Sequence, residues 1–261
     1  MAATSLAGCG AAKSSNTIVA SFHPLAFAAE RIGGPDVRVE NLTPAGAEPH
    51  DLELSPRDVA DIQRAHVVFY LGHGFQPAVE QAIRGNGVDL LSGLPLRPGD
   101  PHVWLDPVLF ERIARRIGAV LHRPSGPLVR ALRNADAAYR SGLAHCARKD
   151  IVTSHAAFGY LAQRYGLRQI AITGLTPESE PSPQQLGNVI RLVRRTHATT
   201  VFFETLVSPR LAETVAREVG ARTAVLDPIE GLTASEQKAG QDYLSLMRRN
   251  LVALRKALGC R

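Results

Sequence analysis

The sequence has no stretch of about 18 consecutive apolar residues, the length at which a helix becomes a candidate to cross a bilayer. Aromatic residues make up only 5% of the 261 residues, although hydrophobic residues in total reach 45%. That hydrophobic content is enough to form a buried core in a chain of this length, which suits one large domain or two of ordinary size. These totals predict a globular chain without a membrane-spanning helix.

The sequence also lacks a concentrated basic segment. Its formal net charge is +6, but the excess is mostly arginine placed singly along amphipathic stretches such as 111–120 and 128–140. Charges spaced in this way are typical of the solvated face of a helix, whereas nucleic-acid-binding proteins cluster them on one face. We therefore expect no nucleic-acid partner.

Motifs of hydrolytic and phosphoryl-transfer enzymes are absent: there is no HExxH, no GxSxG and no phosphate-binding loop. Ser154 and His155 are adjacent, but neighbours in a chain rarely face each other as a catalytic pair. A zinc-dependent hydrolase with Glu48 or Glu178 as its general base is an alternative. A catalytic zinc ion needs an open coordination position for a reactive water, and a zinc ion held by four protein ligands would have none. We expect a binding protein rather than an enzyme.

Cysteine is scarce, with three in the chain. Cys9 follows Leu6-Ala7-Gly8, which is similar to the lipobox of bacterial lipoproteins, where the cysteine is acylated after signal cleavage. The Ser, Ala and Lys residues behind it indicate a flexible tether. Only five residues precede Leu6, so a functional signal would require a start upstream of Met1. An ordinary tail with an unrelated cysteine is the alternative.

Cys146 and Cys260 are the remaining thiols. If the chain is exported, an oxidising compartment would allow them to pair. Cys146 lies just ahead of the second half of the chain and Cys260 nearly at its end. We predict a disulfide that attaches the last helix to the rest of the protein, rather than two free thiols.

From residue 17 onward, short β-branched segments alternate with longer amphipathic ones. This alternation is typical of βα units around parallel sheets. It predicts an α/β fold with two Rossmann-like lobes, each built on a parallel four-stranded sheet. The strand-like segments are 17–21, 37–42, 66–71 and a weak one within 84–101, followed by 150–154, 168–173, 199–204 and 222–227.

The stretch 126–148 reads as one helix of more than twenty residues without a breaker. Such a length is unusual for a crossover inside a compact lobe, so we interpret it as a rigid strut between two halves. A last helix is predicted near 235–258. The predicted organisation is a lipobox and tether remnant (1–16), an N-terminal lobe (17–124), a linking helix (125–148) and a C-terminal lobe (149–261).

Chemistry-bearing side chains follow several of the predicted strands. In open parallel sheets, ligands bind beyond the carboxyl ends of the strands. His155 directly follows one strand, Asp227 closes another, and His50 lies in a loop that leaves a third, while His102 stands in a rigid segment between prolines. Any one of these histidines alone would be interpreted as structural. Together, three imidazoles and a carboxylate from both lobes would form a four-ligand metal site.

Six segments, in this order and at this spacing, resemble the zinc/manganese-binding substrate-binding proteins of bacterial ABC transporters, of the zinc type. The similarity runs from about residue 17 to the C-terminus. It is carried by GAEPHDLELSP, DPHVWLDP, VTSHAAFGYLAQRYGL, GLTPESEPSP, VFFETLVSP and VLDPIEGL.

This resemblance implies two α/β lobes joined by one long rigid helix, with the metal held between them. Carried over residue by residue, the family's ligands fall on His50, His102 and His155, with Asp227 at the fourth position. Glu48 or a water competes with Asp227 for that position. Many zinc-binding relatives carry a His-rich loop before the second ligand, but SGLPLRPGD in this chain contains no histidine.

Three histidines and one carboxylate favour Zn(II) in tetrahedral geometry, whereas Mn(II) gains from additional oxygen donors and is the alternative ion. Asp51 and Asp106 could accept the second ring N–H of a ligand histidine, although Asp106 could equally cap a helix. His23 and His73 also follow strands but match no family ligand, so we interpret them as incidental.

The implied partners are a divalent metal ion and the membrane permease of an ABC importer. We expect a monomer, attached through Cys9 to the outer face of the cytoplasmic membrane or free in the periplasm. The stiff strut argues against wide hinge closure, so release would come from a loop that withdraws one ligand. A lipoprotein whose main role is surface adhesion is a further alternative.

Overall fold

A computed structural model describes residues 17–177 and 179–261. In this part of the chain there are two parallel four-stranded sheets, the first in the order β2-β1-β3-β4 and the second in the order β6-β5-β7-β8. The predicted α/β class with two such sheets is therefore confirmed. The strands are β1 (Thr17–Ala20), β2 (Arg38–Asn41), β3 (Val67–Tyr70), β4 (Gly87–Asp89), β5 (Asp150–Thr153), β6 (Arg168–Ala171), β7 (Thr200–Phe203) and β8 (Arg222–Val225).

Helices connect the strands and cover both faces of each sheet. A short 3₁₀ helix, Val103–Leu105, precedes the fourth α-helix. The α-helices of the described residues are α1 (His23–Gly33), α2 (Pro56–Arg64), α3 (Pro77–Ala82), α4 (Pro107–Val120), α5 (Gly126–Leu143), α6 (Gly159–Arg164), α7 (Pro183–Thr196), α8 (Arg210–Val219), α9 (Ala234–Lys238) and α10 (Tyr243–Leu258).

The strand sequences explain why both sheets are covered on two sides. In β1, Ile18 and Ala20 face a core that continues into the second lobe, whereas Val19 faces a separate core under α2 and α3. A strand buried on both faces needs apolar residues at consecutive positions, which is why β1 and β3 are nearly continuous apolar runs rather than alternating ones.

Two of the helices begin with a capping box followed by proline in the first turn. Ser55 accepts a hydrogen bond from the backbone N–H of Asp58, and the Asp58 carboxylate accepts one from the N–H of Ser55. Pro56 occupies the first turn, where a backbone N–H would have no acceptor within the helix, so proline costs no hydrogen bond there. Ser182 and Pro183 begin α7 in the same way.

Two helix predictions differ from the structure. The predicted helix 126–148 is observed as α5, which ends at Leu143. The single helix expected near 235–258 is instead two, α9 and α10, separated at Gly240 in the left-handed region with φ of 65°. Asp242 then starts a new helix, since its carboxylate accepts the N–H of Ser245. The predicted lobe boundaries near residues 124 and 149 stay predictions.

The two lobes share their largest core, and α10 packs beside α5 within it. The hydroxyl of Tyr139 on α5 donates to the carbonyl of Met247 on α10 at 2.7 Å. At the start of α10, the Tyr243 ring stacks on Phe27 of α1 with centroids 5.6 Å apart. The last helix of the second lobe therefore packs directly against the first lobe, in addition to the covalent link through α5.

A second interlobe contact is an ion pair. The guanidinium of Arg164 on α6 lies 2.7 Å from the carboxylate of Asp106, which also caps α4. Both Asp106 oxygens accept from Arg164 Nε, at 2.9 and 2.8 Å. Asp106 is almost fully buried, so separation from Arg164 would leave its charge uncompensated. The ion pair therefore holds α4 and α6 in one arrangement.

The predicted disulfide between Cys146 and Cys260 is present. Cys146 follows α5 and Cys260 follows α10, and the neighbouring backbones are also joined by the N–H of Arg148 and the carbonyl of Leu258 at 3.0 Å. The bridge lies beside the start of β5, at the amino edge of the second sheet. None of the described helices is both long and apolar enough to span a bilayer.

We expect replacement of both bridge cysteines, Cys146→Ser with Cys260→Ser, to lower the free energy of unfolding by about 2–4 kcal/mol. The bridge closes a long loop and limits the unfolded chain. Urea denaturation measures the effect. Reductant should shift the wild-type midpoint toward that of the variant and leave the variant unchanged. An unchanged midpoint in the double variant would show that the bridge does not stabilise the fold.

Candidate metal centre

Four side chains from four separate segments converge between the lobes. His50, His102, His155 and Glu230 each offer one ligand atom, and these atoms all lie within 4.8 Å of one another. His50 lies in the loop between β2 and α2, and His102 directly precedes the 3₁₀ helix before α4. His155 follows β5, and Glu230 lies in the loop after β8. The carboxyl edges of both sheets thus face a common point.

The spacing of the ligand atoms matches a tetrahedral ion. Oε1 of Glu230 lies 3.2 Å from Nε2 of His102 and 3.5 Å from Nε2 of both His50 and His155. The Nε2 atoms of His102 and His155 are 3.3 Å apart. Bonds of about 2.0–2.1 Å to a tetrahedral zinc ion place its ligand atoms about 3.3–3.4 Å from each other. The measured separations lie around this value.

Burial shields this cluster from water. The side chains of His102 and His155 are 0% exposed and that of Glu230 is 1% exposed, while His50 is 9% exposed. Within the described residues, Nε2 of His50 and Oε1 of Glu230 are buried without a hydrogen-bond partner. Such orphaned polar atoms are costly in a folded protein. A cation between them would satisfy both atoms.

The outer nitrogens of two ligand histidines are held by carboxylates. Nδ1 of His102 lies 2.8 Å from Oδ1 of Asp100, and Nδ1 of His155 lies 2.6 Å from Oε1 of Glu204. Glu204 also accepts the hydroxyl of Ser154. In the neutral ring that binds metal, a carboxylate on Nδ1 keeps the remaining proton there and leaves the Nε2 lone pair directed into the cluster. Both imidazoles are therefore oriented for metal binding.

The same carboxylates govern the protonation of the cluster. Burial by itself lowers the pKa of His155, but the hydrogen bond to Glu204 and the nearby carboxylate of Glu230 outweigh it and raise the pKa to about 10. Burial lowers the pKa of His102 as well, yet the hydrogen bond to Asp100 and the nearby carboxylate of Glu230 outweigh it and raise this pKa. Burial would raise the pKa of Glu230, but the surrounding histidines hold it well below its usual value. Glu230 is thus an anion that attracts cations.

Asp227, predicted as the fourth ligand, is not among the converging atoms. Its Oδ1 accepts the backbone N–H of Ile229 at 2.7 Å, and its Oδ2 accepts the hydroxyl of Thr205 at 3.1 Å and lies 3.2 Å from Arg249. Burial raises the pKa of Asp227 to about 6. The carboxylate therefore turns back into its own loop and braces the turn that presents Glu230.

Glu48, the other predicted candidate, lies beside the cluster but also outside the converging group. Its Oε2 accepts the backbone N–H of His50 at 3.0 Å, which fixes the turn that carries this histidine. Burial and then the negative charge of Glu230 raise the pKa of Glu48 to about 9. Glu48 therefore shapes the loop that carries His50 and is not among the converging ligand atoms.

The remaining predicted residues have other surroundings. Asp51 is exposed, and Asp106 caps α4 and pairs with Arg164 rather than with a ligand histidine. His73 adopts the left-handed conformation on the surface, and His23 begins α1 with Nε2 buried and unpartnered. Cys9 and Glu178 lie outside the described residues.

Three residues of the site were not predicted: Glu230, Asp100 and Glu204. Glu230 stands in the same VLDPIEGL segment as Asp227 but three residues further from the strand. Glu204 directly follows β7 at the carboxyl edge of the sheet, so the rule that selected His155 could have found it. Asp100 lies two residues before His102, where a partner for its ring was a reasonable expectation.

Two lobes with parallel sheets and a buried three-histidine, one-carboxylate cluster between them define a two-lobed metal-binding protein of the solute-binding type. The chain matches the family model described as zinc-uptake complex component A, periplasmic (ZnuA) over residues 18–257. This chain belongs to that family.

Its relatives are named as zinc proteins. The high-affinity zinc uptake system protein ZnuA of Bacillus subtilis is 32% identical over 92% of this chain and 87% of the relative. The zinc-binding lipoprotein AdcA of Streptococcus pneumoniae is 34% identical over 92% of this chain. The chain spans 55% of the length of AdcA.

Solved structures have the same fold. The metal-dependent lipoprotein YcdH of Bacillus subtilis gives a TM-score of 0.81 at 34% identity, covering 93% of this chain and 98% of the other. The Zn(II)-bound ZnuA-like domain of Streptococcus pneumoniae AdcA gives 0.80 at 34% identity with the same coverage. The laminin-binding protein of Streptococcus agalactiae, titled a bifunctional adhesin and metal transporter, gives 0.83 at 30% identity, covering 93% and 99%.

We expect zinc binding to release protons at neutral pH. The pKa of His155 is about 10, so the ring carries a proton that zinc must displace, and affinity should keep rising between about pH 6 and about pH 9. Chelator competition across this range measures the slope, and calorimetry in buffers of different ionisation enthalpy counts the protons. Glu204→Gln removes the nearest negative charge, which should lower the pKa of His155 and end the rise at lower pH. An affinity that levels off near pH 7.5 in the wild type, as for an ordinary imidazole with a pKa of about 6.5, would contradict this prediction.

Proposed function

We propose that this chain captures Zn(II) outside the cytoplasm and delivers it to the permease of an ABC importer. His50, His102, His155 and Glu230 are the proposed ligands, with Zn(II) as the cargo. The observation that supports this most strongly is a buried cluster drawn from both lobes, in which Oε1 of Glu230 lies 3.2 to 3.5 Å from Nε2 of all three histidines. The zinc-uptake names of the family and of the relatives agree with it.

The donor set favours Zn(II) over Mn(II). Three imidazole nitrogens and one carboxylate oxygen are typical of tetrahedral zinc, whereas manganese prefers six ligands that are mostly oxygens. The converging set contains a single carboxylate, because Glu48 lies outside it. Nitrogen donors also bind zinc more tightly than manganese in the general order of divalent metal affinities.

Binding without catalysis fits the coordination better than a hydrolase does. A catalytic zinc keeps one position open for water, and here four protein side chains surround the metal position. The histidines that carry Nδ1–carboxylate bonds are fully buried, so access for a substrate is limited. We therefore place this chain among binding proteins, as the family description also indicates.

We further propose that the protein acts as a monomer attached to the membrane through a lipid on Cys9. We also propose that the zinc ion is released by movement of one ligand loop. The interlobe ion pair of Arg164 with Asp106 and the shared core resist a wide opening of the lobes. His50 is the most exposed of the proposed ligands and lies in a loop. Its withdrawal would open the coordination shell with little cost to the rest of the fold.

Wild-type protein should bind one zinc ion per chain, and His155→Ala should lower the affinity by several orders of magnitude with a native circular dichroism spectrum. Loss of this imidazole removes a ligand from a buried shell and leaves Glu230 short of a partner. Equilibrium competition with a chelator gives the dissociation constants. Replacement of a histidine outside the cluster, His66→Ala, is the matched control and should bind zinc like the wild type. An unchanged constant in His155→Ala would remove this residue from the proposed ligands.

The fourth ligand can be assigned by comparing Glu230→Gln with Asp227→Asn. We expect Glu230→Gln to weaken zinc binding by more than about 100-fold. Even the replacement of residues that only support metal ligands lowers metal affinity by about 10–100-fold. Asp227→Asn keeps an oxygen that can accept the N–H of Ile229, so this variant should lose much less zinc affinity. The reverse order of losses would assign the position to Asp227 instead.

A further inference from the structure

Trp104, the single tryptophan of the chain, joins two of the segments that carry the proposed ligands. It lies two residues after His102 in the 3₁₀ helix and is fully buried. Its indole Nε1 donates to the carbonyl of Pro228 at 2.7 Å. Pro228 lies two residues before Glu230 in the loop after β8. A side chain of the first lobe therefore bonds directly to the loop of the second lobe that presents Glu230.

The backbone of this loop is strained next to Glu230. Ile229 has φ of 59° and is 0% exposed. A β-branched residue in the left-handed region is unfavourable and persists only where the surrounding structure holds it. Without such restraint, the backbone at Ile229 would relax toward ordinary dihedral angles, and the Glu230 side chain would move with it.

Hydrogen bonds hold the peptide unit between Pro228 and Ile229 at both of its polar ends. The N–H of Ile229 donates to Oδ1 of Asp227 at 2.7 Å, and the carbonyl of Pro228 accepts from Trp104. Asp227 is itself fixed to α10, because Asn250 accepts from its N–H at 2.9 Å and donates to its carbonyl at 2.6 Å. The second lobe thus restrains one end of this peptide, and Trp104 restrains the other.

The indole is well placed to act as a fixed support. Its ring lies edge-on to Phe22 with centroids 4.8 Å apart, and its centroid is 5.0 Å from that of the His102 ring. The backbone carbonyl of Trp104 accepts the hydroxyl of Tyr243 on α10 at 2.5 Å. The packing of the ring against Phe22 and His102, rather than the backbone bond to Tyr243, leaves the indole little freedom to follow the loop if the loop moves.

We propose that Trp104 is a positioning residue for the metal site: its indole N–H holds the Pro228–Ile229 peptide in the strained conformation that places the Glu230 carboxylate against the three histidines. The inference rests on the proposed function, because it takes zinc as the ion that Glu230 binds. Its consequence is that zinc affinity depends on a hydrogen bond between the lobes that does not touch the metal.

Trp104→Phe removes the N–H donor and keeps an aromatic ring in the core. We expect zinc affinity to fall by about 10–100-fold, the range found for residues that support metal ligands. A double-mutant cycle with Glu230→Gln tests whether the effect passes through Glu230. In the Glu230→Gln background, Trp104→Phe should cause little additional loss. An equal fold-loss in both backgrounds, or no loss in either, would overturn the inference.

A second replacement avoids the smaller ring of phenylalanine. Because the chain has one tryptophan, biosynthetic incorporation of the benzothiophene analogue, in which sulfur replaces the indole N–H, changes this position alone. The analogue nearly preserves the ring volume and should lower zinc affinity as much as we expect for Trp104→Phe. Wild-type affinity in the analogue protein would overturn the inference even where Trp104→Phe is poorly folded.

Tyr243→Phe is the matched control, because it removes the neighbouring bond to the Trp104 carbonyl and leaves the indole N–H in place. We expect a lower thermal midpoint with zinc affinity close to wild type. A loss equal to that of Trp104→Phe would indicate general loosening of the interlobe core and would overturn the inference.

The absorption spectrum of bound Co(II) provides a readout of ligand geometry. Trp104→Phe should shift the visible bands in the same direction as Glu230→Gln, whereas Tyr243→Phe should not. A wild-type Co(II) spectrum in Trp104→Phe would overturn the inference about Trp104 and leave the proposed function standing. Failure of the wild-type chain to bind zinc at all would overturn the proposed function and this inference with it.

Discussion

The attraction between one buried carboxylate and three imidazoles is the interaction on which the interlobe arrangement depends. Glu230 is nearly inaccessible to water, and an isolated carboxylate in that position would be very costly. His50 and His102 from the first lobe and His155 from the second lobe compensate its charge. A metal cation can take over this compensation, which is why a site that stabilises the closed arrangement of the lobes is also suited to bind zinc.

Stability and binding are located at opposite edges of the sheets. The disulfide between Cys146 and Cys260 lies at the amino edge of the second sheet, and α5 and α10 pack together in the shared core. The ligand loops occupy the carboxyl edges, where parallel strands leave backbone groups and helix starts free for function. His50 is the most exposed of the four converging side chains, which fits the proposed local release without separation of the lobes.

Much of this molecule could be predicted from local patterns. Strand positions followed from β-branched runs, and α2 and α7 begin at Ser-Pro pairs because capping depends on neighbouring residues. The length of α5 and the break between α9 and α10 were missed. The break depends on Gly240 and on the Asp242 cap, both of which are visible in the sequence but compatible with a continuous amphipathic pattern.

By itself, the sequence determined the α/β class, because strand periodicity is a local property, and the cysteine pair, because only two thiols remained besides Cys9. The choice of His50, His102 and His155 among the histidines came from the resemblance to the family. Only the tertiary structure decided between the carboxylates. Asp227 and Glu230 share one loop, and the side chain that reaches the histidines depends on the left-handed Ile229, on Asn250 and on Trp104 from the other lobe. Those contacts join residues far apart in the chain, so no local pattern could have indicated which acid faces the histidines.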